Sequence, residues 1–202
     1  MSAREDEMKN LLKTSLKTAA LAAALAAFPF AASAHPGLHA AGFEDGFIHP
    51  FTGADHLLAM IAVGYWAGQF AGRARFVLPG VFAGLMAIGA ALGYHAEAPA
   101  LVEYGIAASV VVLGLLLAFD VKMPVTPAAA LVGLFALCHG FAHGAEAPVA
   151  TNQALFFGGF VAASLILQGV GLGLSVLQHS KTISRVAGGF VALTGAWMLG
   201  VA

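Results

Sequence analysis

The chain has 202 residues, of which 60% are hydrophobic and 9% charged; soluble domains carry about 25% charged residues, so this chain lacks the polar surface to cover itself in water. Its formal net charge of -1 argues against nucleic-acid binding, which needs a basic patch to neutralise phosphates. A single cysteine, Cys138, excludes an internal disulfide framework.

Lipid is therefore the expected solvent, and the expected fold is an all-α polytopic membrane protein. Residues 9–34 read as a secretory signal: Lys9, Lys13 and Lys17 form the basic part, 19–30 the apolar part, and Ala32-Ser33-Ala34 the small-residue cleavage pattern. The preceding Arg4-Glu5-Asp6-Glu7 is acidic for such a segment, so translation is expected to begin at Met8. Cleavage after Ala34 divides the chain into a signal peptide, 1–34, and a transmembrane domain, 35–202, whose first residue, His35, faces the periplasm. The apolar run is short for the alternative, an uncleaved first membrane helix.

Six spans are expected after the signal, at 52–70, 76–94, 101–119, 126–143, 153–177 and 183–201. Basic residues gather on the cytoplasmic side of a membrane protein. Arg73 and Arg75 lie between the first two spans, Lys122 between the third and fourth, and Lys181 and Arg185 between the last two. Those loops are expected to be cytoplasmic, and the loops around 95–103 and 146–153, which contain no Lys or Arg, periplasmic. Gly64, Gly68 and Gly72, then Gly80 and Gly84, and Gly89 and Gly93, recur at four-residue spacing; small residues so placed let membrane helices approach closely, within one chain or between two copies of it.

The chemistry collects on the outer side of this topology. Glu44, Asp45, Asp55, Glu97, Glu103 and Glu146 map there, with Asp120 inside, and so do His35, His39, His49, His56, His95, His139 and His143, with His179 inside. Imidazole and carboxylate together suit a borderline divalent cation. The densest cluster is His49-Pro50-Phe51-Thr52-Gly53-Ala54-Asp55-His56, with Met60 one turn further on. Pro50 fits a helix start, which would put Asp55 and His56 about a turn inside the hydrocarbon, where ionisable groups are costly and usually functional. The competing reading is that Asp55 caps a helix or hydrogen-bonds His56 structurally.

Cys138-His139-Gly140-Phe141-Ala142-His143-Gly144-Ala145-Glu146 forms the second cluster. On a helix His139 and His143 share a face and can hold one metal together, and this pair is expected at the depth of Asp55 and His56. Cys138 points elsewhere and reads as a packed thiol, and Met60 and Met86 as core; soft sulfur converging on the site would favour copper(I) instead. His35 with its free amine, His39, His95 with Glu97, Glu146 and, beside its reading as core, Met60 are candidate entry or accessory groups, and the plain reading of the loop residues is that they are solvated.

The first of these clusters is similar to the signature of the HupE/UreJ family of nickel permeases: His49-Pro50, then Gly53-Ala54-Asp55-His56-Leu57-Leu58-Ala59-Met60. The signal, the spans, the His35-Pro36-Gly37 start and His139-Gly140-Phe141-Ala142-His143-Gly144 also resemble that family. The resemblance implies secondary transport of nickel or cobalt, with His49, Asp55, His56, His139 and His143 as the essential residues. It implies a bacterial inner-membrane location, a transported ion rather than a prosthetic group, and no enzymatic activity. Ligands must be deprotonated, so binding is expected to weaken as pH falls through the histidine range, near ~6.5. The chain has no P-loop pattern for ATP hydrolysis. The rival from another class is an intramembrane zinc-dependent hydrolase, although no HExxH motif occurs. A haem protein with histidines from two helices as axial ligands is the third reading.

Overall fold

The first predicted span is not one helix. In the computed structural model, which describes residues 42–94, 96–147, 152–178 and 180–201, the chain enters through α1 (Phe43–Thr52), breaks at Gly53, and continues as α2 (Ala54–Ala67). Gly53 is extended, with φ -96° and ψ 121°. Pro50 lies inside α1 rather than at a helix start, because the helix already begins at Phe43, with Glu44 and Asp45 in its first turn and the Asp45 carboxylate accepting from the Gly42 N–H at 3.1 Å. Carboxylates so placed complement the positive end of the helix dipole.

A 3-10 turn, Gly72–Phe76, carries Arg73 and Arg75 and leads into α3 (Val77–Gly93). Then follow α4 (Ala100–Ala118), α5 (Val125–Glu146), α6 (Gln153–Leu177) and α7 (Lys181–Val201). Among the described residues five helices are long and apolar enough to cross a membrane: α4, α5, α6 and α7, and α3 together with its preceding turn. The chain is thus an all-α, multi-pass membrane protein. The signal-peptide residues, His35 and His39 lie outside the described residues, as do His95 and His179.

Helix α3 runs along α5, α4 along α7, and α6 along both α1 and α2; contacts of α2 with α4, and of α3 with α6, join these pairs. The large side chains at the seams, Trp66, Phe82, Phe160, Met60, Leu78, Met86 and Leu113, are fully buried. In lipid, close packing rather than hydrophobic burial holds helices together. The α3–α5 seam shows how: a Cβ at Gly93 would fall on the Phe141 carbonyl, one at Gly140 on that of Met86, and one at Gly144 on that of Ala90. Gly64 likewise lies against the Gln168 backbone of α6. Gly72, Gly80 and Gly84 do not share this role, since a Cβ on any of them would meet nothing within 4 Å.

The basic loops meet at one end of the bundle. Lys122 donates to the Gln69 side-chain oxygen at 3.0 Å and pairs with Asp120 at 2.6 Å, while Lys181 approaches the same carboxylate at 4.0 Å. The hydrogen bond from the Lys122 ammonium holds Asp120 below the usual carboxylate range, with Lys181 and Arg185 adding to the field. Asp120 takes a left-handed backbone (φ 50°), a conformation that aspartate tolerates better than most residues. Helix α5 starts at this end and reaches Glu146 about 30 Å away at 1.5 Å per residue, so the histidine-bearing segment lies at the opposite end.

Candidate metal centre

The break at Gly53 creates the local geometry. With Gly53 as its N-cap, α2 presents Asp55 and His56 in its first turn. One Asp55 carboxylate oxygen accepts from the His56 backbone N–H at 2.8 Å and lies 2.6 Å from the His56 Nδ1. The pair folds over the Gly53 α-carbon so closely that a Cβ there would stand 2.7 Å from the Asp55 oxygen and 2.9 Å from the His56 Nδ1. A carboxylate only accepts, so Nδ1 carries the proton and Nε2 keeps its lone pair. That Nε2 is buried and has no hydrogen-bond partner among the described residues.

His139 reaches the same place from α5 with its tautomer fixed the other way round. The Ser109 hydroxyl, on α4, donates to the Ile106 carbonyl at 2.6 Å, and its oxygen lies 2.9 Å from His139 Nε2. With the hydroxyl proton engaged, the oxygen accepts from Nε2–H, and the lone pair of His139 falls on Nδ1, which is buried and unpartnered among the described residues. His143, one turn further along α5, has both ring nitrogens unpartnered by hydrogen bonds.

The imidazoles converge. The His56 ring centroid is 4.2 Å from that of His143 and 5.0 Å from that of His139. His49, on α1, lies 4.7 Å from His143 and 6.1 Å from His56. Phe160 of α6 stands against this group, 4.0 Å from the His143 ring, and Phe82 of α3 is 5.9 Å from that of His139. Glu146 reaches in from the end of α5, with one carboxylate oxygen 4.0 Å from His49 Nε2 and 3.9 Å from His143 Nδ1. Ligand atoms of His49, His143 and Glu146 all lie within 4.8 Å of one another, which is compact enough for one ion.

Exposure grades across the cluster. The Glu146 side chain is 56% exposed and that of His49 36%, whereas His143 and His139 are fully buried. The arrangement therefore has an open mouth of carboxylate and imidazole above an enclosed group of imidazoles.

All five residues singled out in the sequence, His49, Asp55, His56, His139 and His143, come together, and Glu146 joins them. Met60 is wholly buried in the α2 core, and Glu97 is exposed in the turn after α3; neither is among the groups that close on the cluster. His35, His39 and His95 fall outside the described residues. The Cys138 sulfur packs against Gly105, in keeping with a thiol that faces away from the histidines. Ser109 was missed: a lone serine in an apolar run has no spacing partner to mark it.

Residues 22–198 match the family model described as HupE / UreJ protein. A curated relative, "Protein HupE" of Rhizobium leguminosarum bv. viciae, is 48% identical over 176 residues, which cover 86% of this chain and 92% of the relative. No solved structure matches the chain.

Proposed function

The chain belongs to the HupE/UreJ family, and we propose that it moves a divalent transition metal ion, nickel first and cobalt next, across the bacterial inner membrane by secondary transport, acting as a permease and not as an enzyme. The observation that supports this most is the convergence of four imidazoles and two carboxylates from α1, α2 and α5 at the end of the bundle opposite the basic loops. Buried ionisable groups of this kind in lipid mark ion pathways.

The ion arrives from the periplasm. Glu146 and His49 collect it at the mouth, as do His35, His39, His95 and Glu97 at the outer surface. His56 through Nε2, His139 through Nδ1 and His143 then replace part of its hydration shell. Asp55 and Ser109 act by fixing the tautomers of His56 and His139, as outer carboxylates and hydroxyls commonly do for ligating histidines. Release requires an incomplete shell: a site that keeps open or water-filled positions lets its ion go, whereas a closed four-ligand cage holds it.

In this reading the broken α1–α2 segment is the first of six spans, residues 1–34 form the cleaved signal, and the mature N-terminus is periplasmic. Broken helices at the ion site are a recurrent transporter device. The strip formed by Gly80 and Gly84 on α3, open in the single chain, is where a second copy would pack.

The test is metal uptake into sealed vesicles containing the full-length protein or His56→Ala at matched expression, with nickel, cobalt and zinc offered in parallel. Nickel or cobalt accumulation that disappears in the variant is the expected result. Uptake no greater than in empty vesicles for every ion would overturn the transport reading.

A further inference from the structure

The histidine cluster accounts for the outer part of the bundle and leaves the inner part unexplained. The buried polar side chains among the described residues are His56, Ser109, His139, His143, Ser164 and Gln168. The first four belong to the cluster. The other two are on α6, at Phe160 plus four and plus eight, so all three share one helix face.

That face leads away from the cluster toward the basic end. Phe160 touches the rings of His56 and His143. Ser164 comes next: its hydroxyl donates to the Phe160 carbonyl at 2.7 Å and lies 3.8 Å from the Met86 sulfur on α3. Met86 is at the level of Gly140, next in sequence to His139. Gln168 follows, about 12 Å below Phe160 at 1.5 Å per residue. It is fully buried, and its amide nitrogen and oxygen have no hydrogen-bond partner among the described residues. Its backbone packs closely against Gly64 of α2.

A primary amide buried without partners costs free energy, in contrast to an apolar residue of the same size. Its position, one turn beyond the Ser164–Met86 contact in an otherwise apolar stretch, gives it a use. We infer that Gln168, with Ser164 and Met86, forms an inner relay site for the transported divalent cation, occupied after the histidine cluster and before the basic loops. The inference rests on the transport reading above.

The chemistry differs from that of the outer cluster in the way a relay requires. A carboxamide oxygen, a hydroxyl oxygen and a thioether are neutral donors, weaker than imidazole with carboxylate. Conduction needs each site to bind well enough to admit the ion and weakly enough to pass it on. A strong outer site followed by a weak inner one lowers the barrier to crossing the apolar core without trapping the ion there.

The experiment uses the full-length protein reconstituted into liposomes that enclose a nickel-sensitive fluorescent chelator, with nickel ions as the probe. Gln168→Leu removes the donor atoms; Gln168→Met keeps one lone-pair donor at similar volume. Equilibrium nickel binding is measured on the same preparations. The relay predicts that Gln168→Leu slows uptake by about tenfold or more. It also predicts that Gln168→Met stays within about threefold of the unaltered protein, and that both variants bind nickel within about twofold of it. Unchanged uptake by Gln168→Leu would overturn the inference. So would loss of binding together with uptake, which would make Gln168 a packing residue of the outer site, or equal slowing by both variants. Absence of uptake by the unaltered protein would instead contradict the transport reading itself.

Discussion

Gly53 is the residue on which the histidine site turns. Its α-carbon lies under the Asp55–His56 pair, and any side chain there would push into the Asp55 oxygen and the His56 ring nitrogen. Gly53→Ala is expected to weaken nickel binding by about ten- to a hundredfold, as disturbance of groups that orient metal ligands commonly does. Titration calorimetry on the purified protein reads this directly, and binding unchanged from the parent would show that the pair does not need its observed position. Much at this scale was legible in the sequence. His49, Asp55 and His56 within eight residues, and His139 and His143 four apart, carry their geometry in their spacing. Ser109 and Gln168 do not. Each is a solitary polar residue in an apolar run, and only the meeting of separate helices gives it a partner or leaves it without one.

Between elements, glycines set the depth of the histidines. Gly140 and Gly144 alternate with His139 and His143 on α5, and they let α5 sink onto the Met86 and Ala90 carbonyls of α3. Gly140→Val is expected to lift α5 from α3, lower thermal stability by about 1–3 kcal/mol as overpacking does, and reduce nickel uptake. Gly158→Val, at an exposed position on α6 where a Cβ meets nothing within 4 Å, is the control and is expected to change neither. Equal effects of the two in a thermal-shift and uptake comparison would count against the seam. The four-residue glycine spacing announced close packing in the sequence but not which glycines take part, because that depends on which face of α3 meets α5. The break between α1 and α2 was also hidden. Pro50 reads as a helix start in the sequence, whereas the helix begins at Phe43 with Glu44 and Asp45 in its first turn and Pro50 inside it.

For the whole molecule, the basic residues were the informative signal. They predicted which loops share a side, and the structure brings Gln69, Asp120, Lys122 and Lys181 together at one end, with the histidines at the other. The orientation in the cell is tested by thiol labelling. With Cys138→Ala as background, a membrane-impermeant thiol reagent is expected to label Glu97→Cys in intact spheroplasts. It should label Arg73→Cys only after the membrane is opened; the reverse pattern would invert the proposed direction of transport.

Transport by the proposed route requires the ion to bind where α1, α2 and α5 meet. The most direct measurement is X-ray absorption at the nickel edge on the purified full-length protein loaded with one equivalent of nickel, beside the His139→Ala and His56→Ala variants. Imidazole and oxygen scattering around the metal, with less imidazole in each variant, is the predicted result. A first shell dominated by sulfur, or a hydrated ion indifferent to both substitutions, would contradict it.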